Sequence, residues 1–325
     1  MSVVDSRALQ VIEVARGLSG SVIPARAAAK VNLRLKVTGR RPDGYHLLSM
    51  LNVTVDLADE LGVRFTEQGI DIVSEPAGVA VGPVEQNLIA KAFRAFWRNF
   101  GFSEPPIGLI CHVTKRIPIG AGLGGGSSDA GAILRILVAT FGRVLSEELG
   151  LAQREVAVRA VQAGLECGAD VPYAFSGGLA WVSGIGEEVK PLKPAGSWQG
   201  TLLLMSPQEA VNTAAFYKAF RELHPSIDSQ VDSDMEQVGR SGEVQFAAVS
   251  GLVDNDFERC VVTLAPSVGW GLEVVRRYFP LGSAVTGSGS AFFTVVSDAD
   301  GGKIRDLEQE LSTRGVSVRR CSFDL

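Results

Sequence analysis

Four groups of residues in this chain have types and spacings that could do chemistry. The first is Ile117-Pro118-Ile119-Gly120-Ala121-Gly122-Leu123-Gly124-Gly125-Gly126-Ser127-Ser128-Asp129-Ala130. Glycines carry no Cβ, so their backbone N–H groups can approach an anion closely. A helix starting there would add unpaired N–H groups and about half a positive charge. Ser127 and Ser128 can cap such a helix or offer oxygens to a phosphate. The stretch reads as a phosphate cradle. The Walker pattern is excluded, because no lysine stands between Arg116 and Asp129. Gly120-x-Gly122-x-x-Gly125 matches the dinucleotide fingerprint by letter. No acidic strand end follows about 20 residues later, however, as that fold requires. A glycine-rich tight turn is the plain alternative.

The other three groups are smaller. Lys30 and Asn32 share one side of an alternating segment, opposite Ala29, Val31, Leu33, Leu35 and Val37. A lysine on such a side is commonly just solvated. Tyr45-His46 follows the turn Gly39-Arg40-Arg41-Pro42-Asp43-Gly44 and contains one of three histidines. Taken alone, the pair reads as packing where a strand begins. Asp170 sits in Cys167-Gly168-Ala169-Asp170-Val171-Pro172. It is either a cap or turn former or a carboxylate held at a cleft, and the pattern alone leaves both open.

The elements that must position these groups follow from periodicity. Alternation from Ala29 to Val37 predicts a strand with one buried face. Leu47 to Leu57, Leu61 to Phe65 and Ile70 to Val73 read as further strands, and Val84 to Phe100 as a helix. Ile107 to Val113 is a strand leading into the glycine stretch. Ala130, Ile133, Leu134, Leu137, Val138 and Phe141 then fall on one helical face. Glu147 to Leu165 predicts a second helix. Pro191 to Gly200 is the best candidate linker, Val211 to Leu223 a helix, and Pro225 to Glu243 an exposed polar loop. Asn255 to Leu264, Val268 to Phe279 and Gly302 to Leu311 read as helices. Strand-like segments lie among them, so the last third predicts an antiparallel sheet with helices.

Composition sets bounds. The 325 residues suffice for two domains. Hydrophobic residues make up 46% and charged residues 21%, as in a folded globular chain. A net charge of −5 gives no global field to draw in nucleic acid. Four scattered cysteines form no CxxC pair, which fits a reducing cytoplasm. No apolar run is long enough to span a membrane. The first twenty residues lack a signal-peptide core and read as a loosely held extension.

Three separated motifs stand together: Ala28-Ala29-Lys30-Val31-Asn32-Leu33, the stretch Pro118 to Ser128, and Thr286-Gly287-Ser288-Gly289-Ser290-Ala291. Their order and spacing resemble the GHMP kinase superfamily. Thr38 to His46, the triple glycine before Ser127, Gly168-Ala169-Asp170-Val171-Pro172 and Asn255-Asp256-Phe257-Glu258 narrow the resemblance to the 4-diphosphocytidyl-2-C-methyl-D-erythritol kinases. It covers residues 22 to 325.

The resemblance implies an α+β, two-domain GHMP-kinase-like fold. Its parts would be an extension at 1–21, an N-terminal α/β ATP-binding domain at 22–196 with the phosphate loop, and a C-terminal domain at 197–325 with an antiparallel sheet and helices. It implies a kinase moving the γ-phosphate of ATP, with Mg2+ between phosphate oxygens, onto the 2-hydroxyl of a cytidine diphosphate-linked methylerythritol. Asp170 would take the proton from that hydroxyl, and Lys30 would keep Asp170 ionised. The nucleotide phosphates would lie on Pro118, Ile119, Gly120, Ala121, Gly122, Leu123, Gly124, Gly125, Gly126, Ser127 and Ser128. Asn32 would line the acceptor site, Tyr45 and His46 would recognise cytidine, Phe216 would close the other face of the base, and Gly287, Ser288 and Gly289 would brace the loop. No nucleic-acid or membrane partner is implied, and the expected state is a cytoplasmic monomer or weak homodimer. The competing readings are another small-molecule kinase of the superfamily, a non-catalytic ligand sensor on the same fold, and a dinucleotide-dependent reductase.

Overall fold

The computed structural model describes residues 6–76, 82–196, 198, 200–209, 211, 213–223, 231–297 and 300–325. The chain divides into two units that are discontinuous in sequence. The first comprises 1–28, 58–117 and 125–176; the second comprises 29–57, 118–124 and 177–325. The sequence instead suggests boundaries at 21/22 and 196/197. Two long strands explain the difference, since β1 (Ile23–Arg40) and β2 (His46–Thr66) each contribute residues to both units.

The first unit begins with α1 (Ser6–Gly17) and also holds β3 (Ile70–Glu75), α2 (Leu88–Asn99), β4 (Gly108–Thr114), α3 (Gly125–Leu149), α4 (Gln153–Cys167) and α5 (Val171–Ser176). The far half of β2 pairs antiparallel with β4, from Glu60↔Thr114 to Thr66↔Gly108, and β4 pairs parallel with β3. Leu47–Leu57 and Leu61–Phe65 are therefore one strand, because nothing between them breaks it. The core is aromatic: Trp97 meets Phe93, Phe96, Phe102 and Phe141 edge-on at 5.2–6.2 Å between ring centroids. Asn87 caps α2 by accepting the Ile89 N–H at 2.8 Å. The N-terminal segment departs from expectation as well. Far from being loosely held, α1 buries Val11 and Ala15 in this core, and only residues 1–5 of it lie outside the described residues.

The second unit continues with β5 (Ala180–Ser183), β6 (Glu188–Pro191), β7 (Lys193–Ala195), β8 (Thr201–Ser206), α6 (Thr213–Leu223), α7 (Ser233–Ser241), β9 (Glu243–Gln245), α8 (Phe246–Leu252), β10 (Asp254–Asn255), α9 (Glu258–Leu264), α10 (Pro266–Tyr278), β11 (Ser283–Val285), β12 (Phe292–Val296), α11 (Gly301–Ser312), β13 (Ser317–Cys321) and β14 (Phe323–Asp324). One sheet runs β11-β12-β8-β13, antiparallel throughout, as the last third predicts. The near half of β2 pairs with β5 and β14, and β1 pairs parallel with β10.

Two loop expectations fail here. Lys193–Ala195, inside the expected linker, pairs parallel with β9. The expected polar loop Pro225–Glu243 holds α7, whose Asp232 accepts the Met235 N–H at 3.4 Å. That helix was masked by its polar composition, yet Met235 is buried and Gly239 lies against the Trp181 ring. Residues 225–230 of that segment lie outside the described residues.

Candidate active site

The glycine stretch does not form one loop. Residues 118–124 are irregular, and α3 already begins at Gly125. Ser127 and Ser128 therefore sit inside the first helical turn and do not cap it. Ser128 is buried, and its Oγ donates to the Ala28 carbonyl at 2.7 Å. Ser127 is half-buried. Pro118 and Ile119 start the irregular part, with Ile119 exposed.

Within the second unit, three distant motifs close on Lys30. The Lys30 N–H donates to the Leu123 carbonyl at 3.1 Å, and the Ala291 N–H to the Ala121 carbonyl at 3.1 Å. A Cβ on Gly124 would lie 3.0 Å from Lys30 Cγ, and one on Gly287 would lie 3.2 Å from Lys30 Nζ. The lysine stem thus runs over Gly124, and its ammonium ends beside Gly287. A Cβ on Gly122 would come within 2.3 Å of the Thr286 carbonyl oxygen and 3.0 Å of Gly289 N. Glycine at 122 and 287 is what allows the two turns to touch, glycine at 124 makes room for the Lys30 stem, and all three have positive φ. Ser288, half-buried, lies between Gly287 and Gly289 in the second turn.

The polar face of β1 is buried, contrary to the one-sided strand that alternation predicts. Lys30 is 7% exposed, Asn32 0% and Arg34 8%. Each is accommodated by hydrogen bonds, as burial of polar groups demands. Lys30 Nζ donates to Asn32 Oδ1 at 2.5 Å, and Asn32 Nδ2 donates to Asn52 Oδ1 at 2.6 Å. The Asn32 N–H donates to Thr286 Oγ1 at 3.0 Å. Asn255 Nδ2 donates to the carbonyls of Val285 and Gly287 at 2.7 and 3.1 Å, holding the second turn. Arg34 donates to Asp232 through both Nε and Nη2, and to Asp234. Burial alone would lower its pKa, but Asp232 and its neighbours raise it.

The aromatic residues sort differently from expectation. Tyr45 is 59% exposed, just after a tight turn closed by Arg41 N–H to Tyr45 carbonyl at 2.8 Å. His46 opens β2 and is buried. Phe216 has no exposed surface; it is enclosed by Tyr217, Phe220 and Phe257. It has no face left for a base. Its neighbour Tyr217 is half-buried and lies nearly parallel to His46, at 12° with centroids 6.1 Å apart. Sequence reasoning missed Tyr217. The available signal was its phenol, an aromatic with a polar tip that favours half-burial, beside two phenylalanines that fill the core.

Asp170 lies in the first unit, half-buried, between α4 and α5. Its carbonyl accepts the Ala174 N–H at 3.0 Å, so its backbone starts α5. Glycine fixes that placement. A Cβ on Gly131 of α3 would meet the Ala174 backbone at 2.6 Å, and one on Gly164 would meet Val171 and Leu134 at 3.0 and 3.1 Å.

The first unit adds a buried cluster that the motifs did not reveal. Lys115 Nζ donates to Asp59 Oδ2 at 2.5 Å and Asp129 Oδ2 at 2.8 Å. Asp59 Oδ1 accepts the N–H groups of Arg116 at 2.5 Å and Ile117 at 2.8 Å. The residues leading into the glycine stretch are thereby tied to the helix that leaves it. Burial pushes Asp129 up to about 7, with Lys115 opposing and Asp59 adding to the rise. Burial alone would lower the Lys115 pKa, but the two carboxylates raise it.

A strand, a glycine turn and a helix N-terminus carrying this sequence define a class. Residues 87–178 match the family described as GHMP kinases N terminal domain. The chain is 36% identical over 272 residues to a 4-diphosphocytidyl-2-C-methyl-D-erythritol kinase from Desulfitobacterium hafniense (strain Y51), covering 83% of this chain and 86% of that one. A solved 4-(cytidine 5'-diphospho)-2C-methyl-D-erythritol kinase superposes with a TM-score of 0.65 at 29% identity, over 93% of this chain and 99% of the other. A homoserine kinase from Cytophaga hutchinsonii shares the fold, with a TM-score of 0.61 at 19% identity over 92% and 93%. The protein is an ATP-using kinase of the GHMP superfamily with its α+β, two-domain fold. Within that superfamily it belongs to the 4-diphosphocytidyl-2-C-methyl-D-erythritol kinase family.

Proposed function

We propose that the chain transfers the γ-phosphoryl group of ATP to the 2-hydroxyl of 4-diphosphocytidyl-2-C-methyl-D-erythritol, a step toward isoprenoid precursors. One observation supports the residue assignments most directly: Lys30, Gly122 to Gly124 and Gly287, far apart in sequence, are in contact. Phosphoryl transfer asks a protein chiefly for positioning and charge stabilisation. In this reading the backbone of Gly120 to Gly126 and the N-terminus of α3 receive the nucleotide phosphates, with Ser127 offering its hydroxyl. Lys30 supplies positive charge, Asn32 lines the acceptor site, and Gly287 to Gly289 brace the phosphate loop. Asp170 takes the proton of the attacking hydroxyl. Tyr45, His46 and Tyr217 hold the cytosine, with Tyr217 replacing Phe216.

Mg2+ would enter as a cation carried on the nucleotide, because a backbone N–H cradle holds the anionic phosphates and not the cation itself. No cluster of three acidic, His or Cys groups among the described residues could hold one alone, and Mg2+ is commonly bound through substrate phosphates. When bound it would neutralise charge on the phosphate oxygens, which the Gly120 to Gly126 backbone would cradle. No helix among the described residues is long and apolar enough to cross a membrane. A cytoplasmic monomer or weak homodimer completes the proposal.

The test is ADP release from Mg-ATP with this acceptor, with the product position read by phosphorus NMR. Asp170→Asn should lower kcat by about 10²–10⁴-fold, the usual worth of a positioned base. Tyr217→Ala should raise the acceptor KM and leave the ATP KM unchanged. Turnover with homoserine but not with the cytidyl acceptor would overturn the substrate, and full turnover by Asp170→Asn would overturn the base.

A further inference from the structure

A cavity of about 540 Å3 opens in the first unit, lined by α1, the turn after it, the end of β2 and the approach to β4. It shares no residue with the phosphate, acceptor or cytidine assignments above. Its volume falls within the roughly 300–1,000 Å3 of small-molecule sites. Ile12 and Ala15 of α1, Phe65 of β2, and Ile107 supply apolar lining. Ala15, Phe65 and Ile107 are buried and belong to the core, so this side of the cavity is fixed by packing.

The charged lining has a different character. Arg16, in the last turn of α1, and Arg64, near the end of β2, both line the cavity and are exposed. Among the described residues neither guanidinium has a hydrogen-bond or ion-pair partner. Glu67 is the remaining charged residue of the lining, which leaves it with two positive charges against one negative. A guanidinium presents a planar fork of N–H donors that matches phosphate oxygens. Two such forks beside an apolar wall suit a ligand with a phosphorylated head and a short hydrocarbon chain. The concave shape favours a small molecule over a membrane surface, and Glu67 would disfavour an anionic bilayer.

We propose that this cavity is a second ligand site, distinct from the kinase site, that binds small amphipathic anions: alkyl chains carrying a phosphate or diphosphate, with the head on Arg16 and Arg64 and the chain on Ile12 and Phe65. The assignment of Lys30 and Asp170 to catalysis plays no part in it. Because α1 contributes residues from both groups, its anchoring through Val11 and Ala15 is what builds the site.

The test uses the full chain and octyl phosphate as probe, followed by calorimetry and by amide NMR. One saturable site is expected, with Kd below about 1 mM. Inorganic phosphate and 1-octanol should each bind at least about tenfold more weakly, because each offers half of the recognition. The Arg16→Ala/Arg64→Ala variant should lose at least about tenfold in affinity at unchanged Tm, since both side chains are exposed. Glu67→Gln should bind more tightly by removing the repelling charge. A non-hydrolysable ATP analogue with Mg2+ should not displace the probe. Displacement by that analogue would place the probe in the phosphate cradle and overturn the proposal. So would wild-type affinity in the double arginine variant, or the lack of saturation.

Discussion

The two halves of the glycine stretch use the same residue for different physical reasons. Gly120, Gly122 and Gly124 belong to the second unit, and each has φ between +69° and +79°. Two of them also carry another backbone or Lys30 against the place where a side chain would stand. Gly125 and Gly126 belong to the first unit and lie in the first turn of α3 with ordinary helical backbone. In the first half, glycine makes a shape that other residues hold only under strain. In the second half, Gly125 fits closely under Ile117, whose Cγ2 would lie 3.1 Å from a Cβ there, while Gly126 leaves the helix start uncovered, which matters only if something must approach it. A uniform run of letters therefore hides positions that the fold requires to be glycine and one, Gly126, that packing leaves open.

Substitutions separate the two. Gly122→Ala should have the largest effect, because it meets both obstacles. Left-handed strain costs about 1–2 kcal/mol, and overpacking against the Thr286 carbonyl adds about 1–3 kcal/mol, since backbone cannot step aside as a side chain can. Urea unfolding should show a loss of about 2–5 kcal/mol. Gly120→Ala should lose only about 1–2 kcal/mol, because a Cβ there meets nothing within 4 Å. Equal losses at 120 and 122 would break the distinction between strain and contact.

The helical half has its own anchor, and it responds to pH. Asp129 in α3 is buried beside Lys115 and Asp59, with the Cys111 thiol also in its field. Its pKa rises from the ordinary 3.8 to about 7, because desolvation outweighs the attraction of Lys115. The folded chain therefore keeps a proton that the unfolded chain releases between about pH 4 and pH 7. Where the folded state binds more protons, stability falls as pH rises. Asp129 should contribute a decline in stability across that window. Thermal melts at pH 5 and pH 8 should show a smaller decline for Asp129→Asn than for wild type. A steeper decline in the variant would reverse the assigned sign.

What was legible in the sequence follows the same division. Ala130, Ile133, Leu134, Leu137 and Phe141 do face the core of α3, because helical periodicity is a local signal that burial obeys. The alternation of β1 gave the strand but not its second buried face. Asn32 and Arg34 look solvent-facing until their partners appear, and those partners are remote in the chain: Thr286 for Asn32, Asp232 for Arg34. The Asp59–Lys115–Asp129 cluster was hidden for that reason too, since 56 positions separate Asp59 from Lys115. The sequence points to Phe216 and passes over its neighbour Tyr217, because spacing alone does not say which of two adjacent aromatics on a helix faces inward. The helical phase is set by contacts with Phe220 and Phe257, which place Phe216 inward. α7 was missed because its capping Asp232 and inward Met235 are single residues in a polar run.

The smallest stability effect belongs to the helical half and sharpens the comparison most. A Cβ on Gly126 would lie 3.3 Å from Leu88 Cδ1, the far end of a flexible side chain that can give way. Alanine also suits a helix better than glycine by about 1 kcal/mol. Gly126→Ala should therefore change unfolding stability by less than about 1 kcal/mol, in either direction. If the first turn of α3 receives nucleotide phosphates, the added methyl group stands where an anion must come close to the backbone. The ATP KM should then rise several-fold while the acceptor KM stays unchanged. A Gly126→Ala enzyme with both unaltered stability and unaltered ATP KM would show that Gly126 serves neither purpose. The phosphate contact would then fall on Gly120 to Gly124, the half whose glycines the fold already requires.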